Sequence, residues 1–213
     1  KIAENLTKIQ RTIDSCTVKN KPELIAVTKG FNEETVEKAL KLGITVFGEN
    51  RVQECSLKYG DLLKQHPHIV LHLIGPLQSN KVKKALQLFN VIHTLDREKI
   101  ALEVKKNLNK NSKTSKFFIQ VNTGFEKQKS GIRPQNLDEF IQWIKNDLFL
   151  NIVGLMCIPP IREDPTIHFN LLRKIATKNH LNNLSMGMSS DYLEAIKCGS
   201  THIRIGTALF GLR

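Results

Sequence analysis

The chain has 213 residues, of which 40% are hydrophobic and 24% are charged, and its formal net charge is +12. These proportions are typical of a water-soluble globular protein, exclude disordered and fibrous classes, and predict one domain over residues 1–213. The longest apolar run, residues 152–158, is too short to cross a membrane, and the charged first residues lack a signal-peptide core. We therefore expect a cytoplasmic protein that does not associate with membranes.

The positive charge raises the question of nucleic-acid binding. Its densest source is the segment 105–116, which holds five lysines and no acidic residue. No aromatic side chains interleave with these lysines, and no nucleic-acid-binding motif accompanies them. A solvated basic face is the simpler interpretation, although a module that binds RNA or acidic partners stays open. The scattered cysteines, Cys16, Cys55, Cys157 and Cys198, indicate reduced thiols and no metal site.

In chain order, apolar runs alternate with helical patterns, after a first helical pattern over about residues 2–15. Strands are predicted near 23–29, 45–49, 70–75, 91–95, 117–123, 152–158, 183–187 and 202–206. Helices are predicted between them near 33–42, 52–65, 80–89, 97–109, 135–146, 165–178 and 191–198. Asn32 and Asp96 are predicted N-caps, and Ser79 or Asn80 is expected to cap the helix near 80–89.

Repeated strand–helix units imply parallel strands joined by right-handed crossovers. Eight such units favour an α/β fold consisting of a single (β/α)8 barrel of the TIM type, with an extra N-terminal helix. An open, doubly wound sheet is the alternative. Because the chain ends soon after the eighth strand, we expect the usual last helix to be missing and the N-terminal helix to cover that side.

In such a barrel the carboxyl ends of the strands meet at one mouth, where the chemistry of these folds takes place. The residues predicted there are Thr28, Lys29, Gly48, Glu49, Asn50, His72, Gly75, Asn122, Met156, Ser185 to Ser189 and Arg204 to Thr207. Glu49 and Asn50 would either contact a ligand or fix Lys29 and Arg204. A buried arginine requires either a bound acceptor or a salt bridge, for which Glu49 is the candidate. The spread of His72, His93 and His202 over three strands suggests neither a metal site nor a catalytic triad.

One chemistry combines these features. The loops after strands seven and eight, "SMGMSSD" and "RIGTALFG", join glycines to hydroxyl residues, which favours a phosphate-binding cup. Pyridoxal 5′-phosphate needs an amine such as that of Lys29 for a Schiff base, donors for its phosphate, and a partner for its pyridine nitrogen.

Six segments carry a resemblance to a known family: "AVTKG", "FGENRVQE", "LHLIGPLQSNK", "IQVNTGFEKQKSGI", "GLMCIP" and "LSMGMSSDYLEAIKCGSTHIRIGTALFG". Over about residues 2–211 the chain resembles the pyridoxal phosphate homeostasis proteins (YggS/PROSC type), which are similar to the barrel domain of alanine racemase. The resemblance implies that Lys29 carries pyridoxal 5′-phosphate as an internal aldimine and that Arg204 faces the pyridine nitrogen. It further implies that Ser185, Gly206 and Thr207 form the phosphate cup and that Asn50 lies near the ring.

The sequence favours a cofactor carrier over an enzyme. A racemase needs a proton-transfer group on each face of its substrate, and Lys29 serves only one face. The two tyrosines, Tyr59 and Tyr192, have no obvious path to the other face. Arginine also leaves the pyridine nitrogen unprotonated, which weakens the ring as an electron sink. We therefore expect a monomer without catalytic residues that acts in cofactor homeostasis and serves cofactor-dependent apoenzymes; a weak amino-acid racemase is the alternative.

Overall fold

The computed structural model describes residues 1–16, 21–126 and 128–212. Its strands are β1 (Glu23–Val27), β2 (Val46–Glu49), β3 (Val70–Leu73), β4 (Val91–Leu95), β5 (Lys116–Val121), β6 (Ile152–Cys157), β7 (Asn183–Met188) and β8 (His202–Ile205). They form a closed parallel barrel in sequence order, with β8 paired to β1. The predicted (β/α)8 barrel is therefore confirmed, and the open sheet is excluded.

The described helices follow the predicted order. They are α1 (Ile2–Cys16), α2 (Glu33–Lys41), α3 (Val52–Tyr59), α4 (Leu62–Gln65), α5 (Val82–Leu88), α6 (Glu98–Asn107), α7 (Leu137–Asn146), α8 (Pro165–Lys178), α9 (Tyr192–Lys197) and α10 (Thr207–Phe210). The expected helix over 52–65 is divided into α3 and α4 around Gly60 and Asp61. A short helix, α10, follows β8, so the expectation that the last helix is missing was wrong. No helix among these described residues is long and apolar enough to span a membrane.

Two of the expected helix caps were wrong. Asn32 is confirmed as the N-cap of α2, because its side-chain oxygen accepts from the backbone N–H of Thr35 at 3.1 Å. The N-cap of α6 is Arg97 rather than Asp96, whose carboxylate binds the Arg97 guanidinium instead. Ser79 and Asn80 lie inside a 3₁₀ turn, Ser79–Lys81, and α5 begins only at Val82.

Strand register brings the functional residues to one edge of the barrel. Val27 pairs with Gly48, so the residues after β1 lie beside the end of β2. Ala26 pairs with Ile205, which places Gly206 beside Val27. The strands are nearly continuous apolar runs because one face meets the barrel interior and the other meets the helices; in β4 all five residues are buried. The carboxyl ends of the strands therefore form one rim of the barrel.

Candidate ligand-binding site

A cavity of about 600 Å³ opens at the carboxyl end of the barrel. Its lining comprises Val27, Lys29, Asn50, Ile74, Ile158, Met188, Ser189, Ser190, Arg204, Gly206, Thr207 and Ala208. This volume suits a small molecule. Of the six residues predicted to bind a cofactor, Lys29, Asn50, Arg204, Gly206 and Thr207 line this cavity, whereas Ser185 does not.

Lys29 is half-buried and lies at the end of β1. Among the described residues, no carboxylate lies within salt-bridge distance of its amine. Glu49, which was expected to fix either Lys29 or Arg204 in the mouth, binds Lys58 instead, at 2.7 Å. That expectation was wrong because the Glu49 side chain is fully buried on the helix side, near α3. Lys29 therefore keeps its amine available to the cavity.

Helix α3 holds the backbone on both sides of Lys29. Lys58 Nζ donates to the carbonyl oxygen of Thr28 at 2.6 Å and to Glu49 Oε1 at 2.7 Å. Glu54 Oε1 accepts from the backbone N–H of Gly30 at 2.7 Å. We call Glu49, Glu54 and Lys58 the α3 clamp. Glu54 and Lys58 were not foreseen from the sequence, although their i,i+4 spacing places them on one helix face.

Two further groups complete the buried surroundings of the α3 clamp. The Thr28 hydroxyl donates to Glu49 Oε1 and is hydrogen-bonded to the Tyr59 hydroxyl, each at 2.7 Å. Burial raises the pKa of Glu49, although Lys58 and Thr28 oppose this shift by binding the carboxylate. Burial likewise raises the pKa of Tyr59 far above its ordinary value. The Tyr59 side chain supports the end of β1 and does not line the cavity.

Arg204 is the second cation of the cavity, and only 4% of it is exposed. Its guanidinium donates through NH1 to Ser185 Oγ at 2.7 Å and through NH2 to the carbonyl oxygen of Cys157 at 3.0 Å. Within the described ranges it forms no salt bridge, so the alternative of a bridge to Glu49 was wrong. Burial lowers the pKa of Arg204, while Cys157 and Asp191 act in the opposite direction. A guanidinium carries five N–H donors, and these two hydrogen bonds use two of them.

Two side chains expected at the mouth lie deeper in the barrel. Ser185 is fully buried beneath Arg204, and its hydroxyl is also 2.8 Å from Nδ1 of His93. His72 was wrongly expected at the mouth: its Nε2 lies 3.8 Å from Glu23 Oε2, at the first residue of β1. In place of Ser185, the loop after β7 presents Ser189 and Ser190 to the cavity.

A hydrogen bond and a steric restriction shape the loops after β8 and β3. The Ser189 hydroxyl accepts from the backbone N–H of Ala208 at 3.2 Å, which joins the β7 loop to the first turn of α10. A Cβ at Gly206 would sit 3.5 Å from Val27, an ordinary contact, so packing alone does not require glycine there. A Cβ at Gly75 would lie 2.2 Å from the Asn50 carbonyl oxygen, so this glycine is required to place Asn50 at the rim.

The cavity thus combines two cations that form no salt bridge within the described residues, several neutral donors, and apolar walls from Val27, Ile74 and Ile158. A small anionic molecule with an apolar part matches this lining. Among the described residues, no group of three or more histidine, cysteine, aspartate or glutamate side chains could hold a metal ion.

Comparisons with known proteins agree with this geometry. The family model described as "Alanine racemase, N-terminal domain" matches residues 1–213. A pyridoxal phosphate homeostasis protein of Vibrio cholerae is 39% identical over 227 residues, which cover 100% of this chain and 96% of that protein. PipY of Synechococcus elongatus, solved with pyridoxal phosphate bound, superposes with a TM-score of 0.87 at 32% identity over 99% of this chain and 100% of that chain. Alanine racemase from E. faecalis shares the fold alone, with a TM-score of 0.74 at 16% identity over 100% of this chain and 58% of that chain.

Proposed function

The chain belongs to the pyridoxal phosphate homeostasis protein family, and from that premise we propose that it binds pyridoxal 5′-phosphate at the barrel mouth. The observation that carries the proposal is that Lys29 and Arg204 share one cavity while neither has an acidic partner among the described residues. Two cations in one pocket, neither of them in a salt bridge within the described residues, favour an anionic ligand with a hydrogen-bond acceptor. We place this function in the cytoplasm.

Each residue has a separate task in this proposal. When bound, pyridoxal 5′-phosphate supplies two groups, an aldehyde and a phosphate dianion. The aldehyde condenses with a primary amine and releases water. Lys29 Nζ provides the amine, and Arg204 donates an N–H to the pyridine nitrogen. Asn50 contacts the ring from the end of β2. Gly206 and Thr207, joined by Ser189 and Ser190, surround the phosphate. Ser185, which the resemblance places in the phosphate cup, supports Arg204 from below instead.

We further propose that the protein is a monomeric carrier that passes the cofactor to apoenzymes without robust catalysis. Lys29 and Arg204 are the ionisable side chains on the described cavity lining, so a second proton-transfer group is missing there. Tyr59 is committed to Thr28, and Tyr192 lies on α9 outside the lining. Arg204 also stays protonated, so it donates to the pyridine nitrogen without delivering a proton to it.

The attachment to Lys29 can be tested directly. We expect the purified protein to show an absorbance band at about 420 nm when pyridoxal 5′-phosphate is bound. After borohydride reduction, peptide mapping should find the pyridoxyl group on Lys29. Lys29→Ala should lose the band. Lys81→Ala, which alters a lysine in a separate cavity that also borders Asn50, should keep it. A pyridoxyl group on another lysine would contradict the assignment.

Lys29 in an alanine racemase-like barrel also favours one alternative, a weak amino-acid racemase. If the carrier proposal is right, loaded protein should exchange the Cα–H of alanine for deuterium far more slowly than about 1 s⁻¹, an ordinary enzymatic rate. Proton NMR in heavy water measures this exchange, with Lys29→Ala as the blank. Exchange at enzymatic rates that Lys29→Ala abolishes would contradict the carrier proposal, and inversion at Cα would identify the activity as a racemase.

A further inference from the structure

A row of polar contacts runs through the barrel interior beneath Arg204. Arg204 NH1 lies 2.7 Å from Ser185 Oγ, which lies 2.8 Å from His93 Nδ1. His93 Nε2 lies 2.8 Å from His72 Nδ1, and His72 Nε2 faces Glu23 Oε2 at 3.8 Å. We call these five residues the interior chain. It connects the ligand cavity to a second cavity, of about 370 Å³, which is lined by Glu23 and His72 at the amino ends of the strands.

The two histidines of the interior chain are neutral at physiological pH. Burial, with the nearby His202 and Lys116 acting in the same direction, lowers the pKa of His72 to about 3. Burial lowers the pKa of His93 well below its ordinary value, with His72 and Arg204 acting in the same direction. Each ring therefore carries one N–H donor and one acceptor nitrogen.

The ends of the interior chain fix the direction of its hydrogen bonds. Arg204 can only donate, so Ser185 Oγ accepts from it. If His93 also donated to Ser185, the serine O–H would lack an acceptor, since the described residues provide no further partner for it. Ser185 therefore donates to His93 Nδ1. Every hydrogen bond then runs from Arg204 towards His72, whose Nε2–H faces Glu23 Oε2 at 3.8 Å, beyond hydrogen-bond distance.

We infer that Ser185, His93 and His72 are positioning residues that hold the Arg204 guanidinium against the ring nitrogen of the ligand. A serine that donates to His93 becomes a better acceptor for Arg204, because successive hydrogen bonds polarise one another. His93 is itself held by stacking on Phe118, with ring centroids 4.4 Å apart and planes at 13°. The bond to Ser185, together with that to Cys157, fixes the plane of the guanidinium. This role rests on the proposed function, which places the ring nitrogen at Arg204.

The first test examines the interior chain without any ligand. Long-range ¹H–¹⁵N correlation spectra of histidine-labelled protein distinguish the two neutral tautomers. We expect both His72 and His93 to carry the proton on Nε2, and Ser185→Ala to disturb the His93 signals. A proton on Nδ1 of His93 would overturn the inferred direction, because Ser185 would then accept from both neighbours.

The second test separates the ring-nitrogen contact from the phosphate contact. The probes are pyridoxal 5′-phosphate and its 1-deaza analogue, in which a C–H replaces the ring nitrogen. We expect Ser185→Ala and His93→Leu to weaken pyridoxal 5′-phosphate binding by about tenfold, the cost of one lost hydrogen bond. Binding of the deaza analogue should change little. His93→Asn, which keeps an acceptor near the Nδ1 position, should restore most of the loss.

The outcomes separate this inference from the function on which it rests. Equal losses for both compounds, in variants with unchanged circular dichroism and melting temperature, would refute the positioning role alone. An effect of His93→Asn as large as that of His93→Leu would refute it as well. Failure of the wild-type protein to bind either compound would refute the proposed function.

Discussion

Lys29 and Lys58 both lie near the end of β1, yet they have opposite tasks. Lys58 is buried and neutralises Glu49, while the amine of Lys29 stays free of carboxylates in the described structure. A lysine already paired with a buried carboxylate is held in place and less available to a ligand. The α3 clamp therefore makes Lys29 available by occupying the nearest acidic group with a second lysine.

The hydroxyl of Thr207 is the clearest single test of the phosphate position. Thr207→Val removes one donor from the start of α10 and preserves the shape of the side chain. A hydrogen bond to a charged group contributes about 1.5–3 kcal/mol, so cofactor affinity should fall by roughly tenfold to a hundredfold. Fluorescence titration with pyridoxal 5′-phosphate measures the change. Thr177→Val, at an exposed threonine of α8, is the matched control. An unchanged dissociation constant for Thr207→Val would place the phosphate elsewhere.

At the scale of elements, the sequence predicted the order of strands and helices but not the direction of every side chain. Alternating apolar runs and helical patterns suffice for a parallel barrel, and strand-end residues such as Lys29 and Asn50 follow from it. The side chains of β7 depend on a detail that periodicity does not contain. The pairing of β7 with β8 shifts between Ser185 and Met188, and Gly187 has a φ of 96°. The irregular strand therefore delivers Met188, Ser189 and Ser190 to the cavity and leaves Ser185 beneath it.

Glu49 and His72 were misplaced for a related reason. Both lie on strands that lead towards the mouth, but a strand position does not reveal which buried partner will bind the side chain. Glu49 turns to Lys58, and His72 turns to His93, which lies 21 residues away along the chain. These partners come from neighbouring elements, so they become visible only once the barrel is assembled.

The α3 clamp can be tested by removing its cation. Lys58→Met leaves the Glu49 carboxylate buried with only the Thr28 hydroxyl, and an uncompensated buried charge costs about 3–5 kcal/mol. Because Glu49 can take up a proton instead, we expect the free energy of unfolding in urea to fall by about 3 kcal/mol. Cofactor affinity should fall as well, because the carbonyl before Lys29 loses its donor.

Two further variants control for the chemistry of this substitution. Lys64→Met removes a lysine of α4 that pairs with Asp61 at the surface, and it should change stability little. Adding Glu49→Gln to Lys58→Met removes the stranded charge and should recover part of the lost stability. If Lys58→Met and Lys64→Met were equally mild, Lys58 would have no clamping role.

At the scale of the whole molecule, α1 and α10 close the side of the barrel that follows β8. Helix α1 packs against α9 and α10, and the Asn5 side-chain amide donates to the Leu209 carbonyl oxygen at 3.0 Å. Since Thr207 begins α10, the N-terminal helix braces the loop that forms the proposed phosphate cup. The expectation that this helix covers the open side is confirmed, even though α10 was not foreseen.

Three histidines in the barrel interior, the buried His72 and His93 and the half-buried His202, should make the whole fold sensitive to mild acid. Burial lowers the pKa of His72 to about 3 and that of His202 to about 4, and His93 is lowered well below its ordinary value. The unfolded chain binds protons at all three near pH 6.5, whereas the folded protein excludes them, so stability falls as pH drops below 6.5. Burial raises the pKa of Glu23, Glu49, Asp96 and Asp191, so these carboxyls take up protons above their ordinary pKa values and act in the opposite direction as the pH falls. Their ordinary pKa values lie below the range in which histidines titrate.

Between pH 7.5 and 5.5 the histidines should therefore dominate the change in stability. At pH 5.5, about one unit below the ordinary histidine pKa, each histidine that stays neutral in the folded protein lowers the free energy of unfolding by about 1.4 kcal/mol. Three such histidines lower it by about 4 kcal/mol. Urea unfolding of the cofactor-free protein at the two pH values measures this loss. His202→Asn should remove about a third of it, because one of the three excluded protons is then absent. Exposed His68→Gln should leave the loss intact. If the free energy of unfolding stayed level across this range and its pH dependence did not change in His202→Asn, the prediction that the interior histidines stay neutral in the folded protein would be wrong.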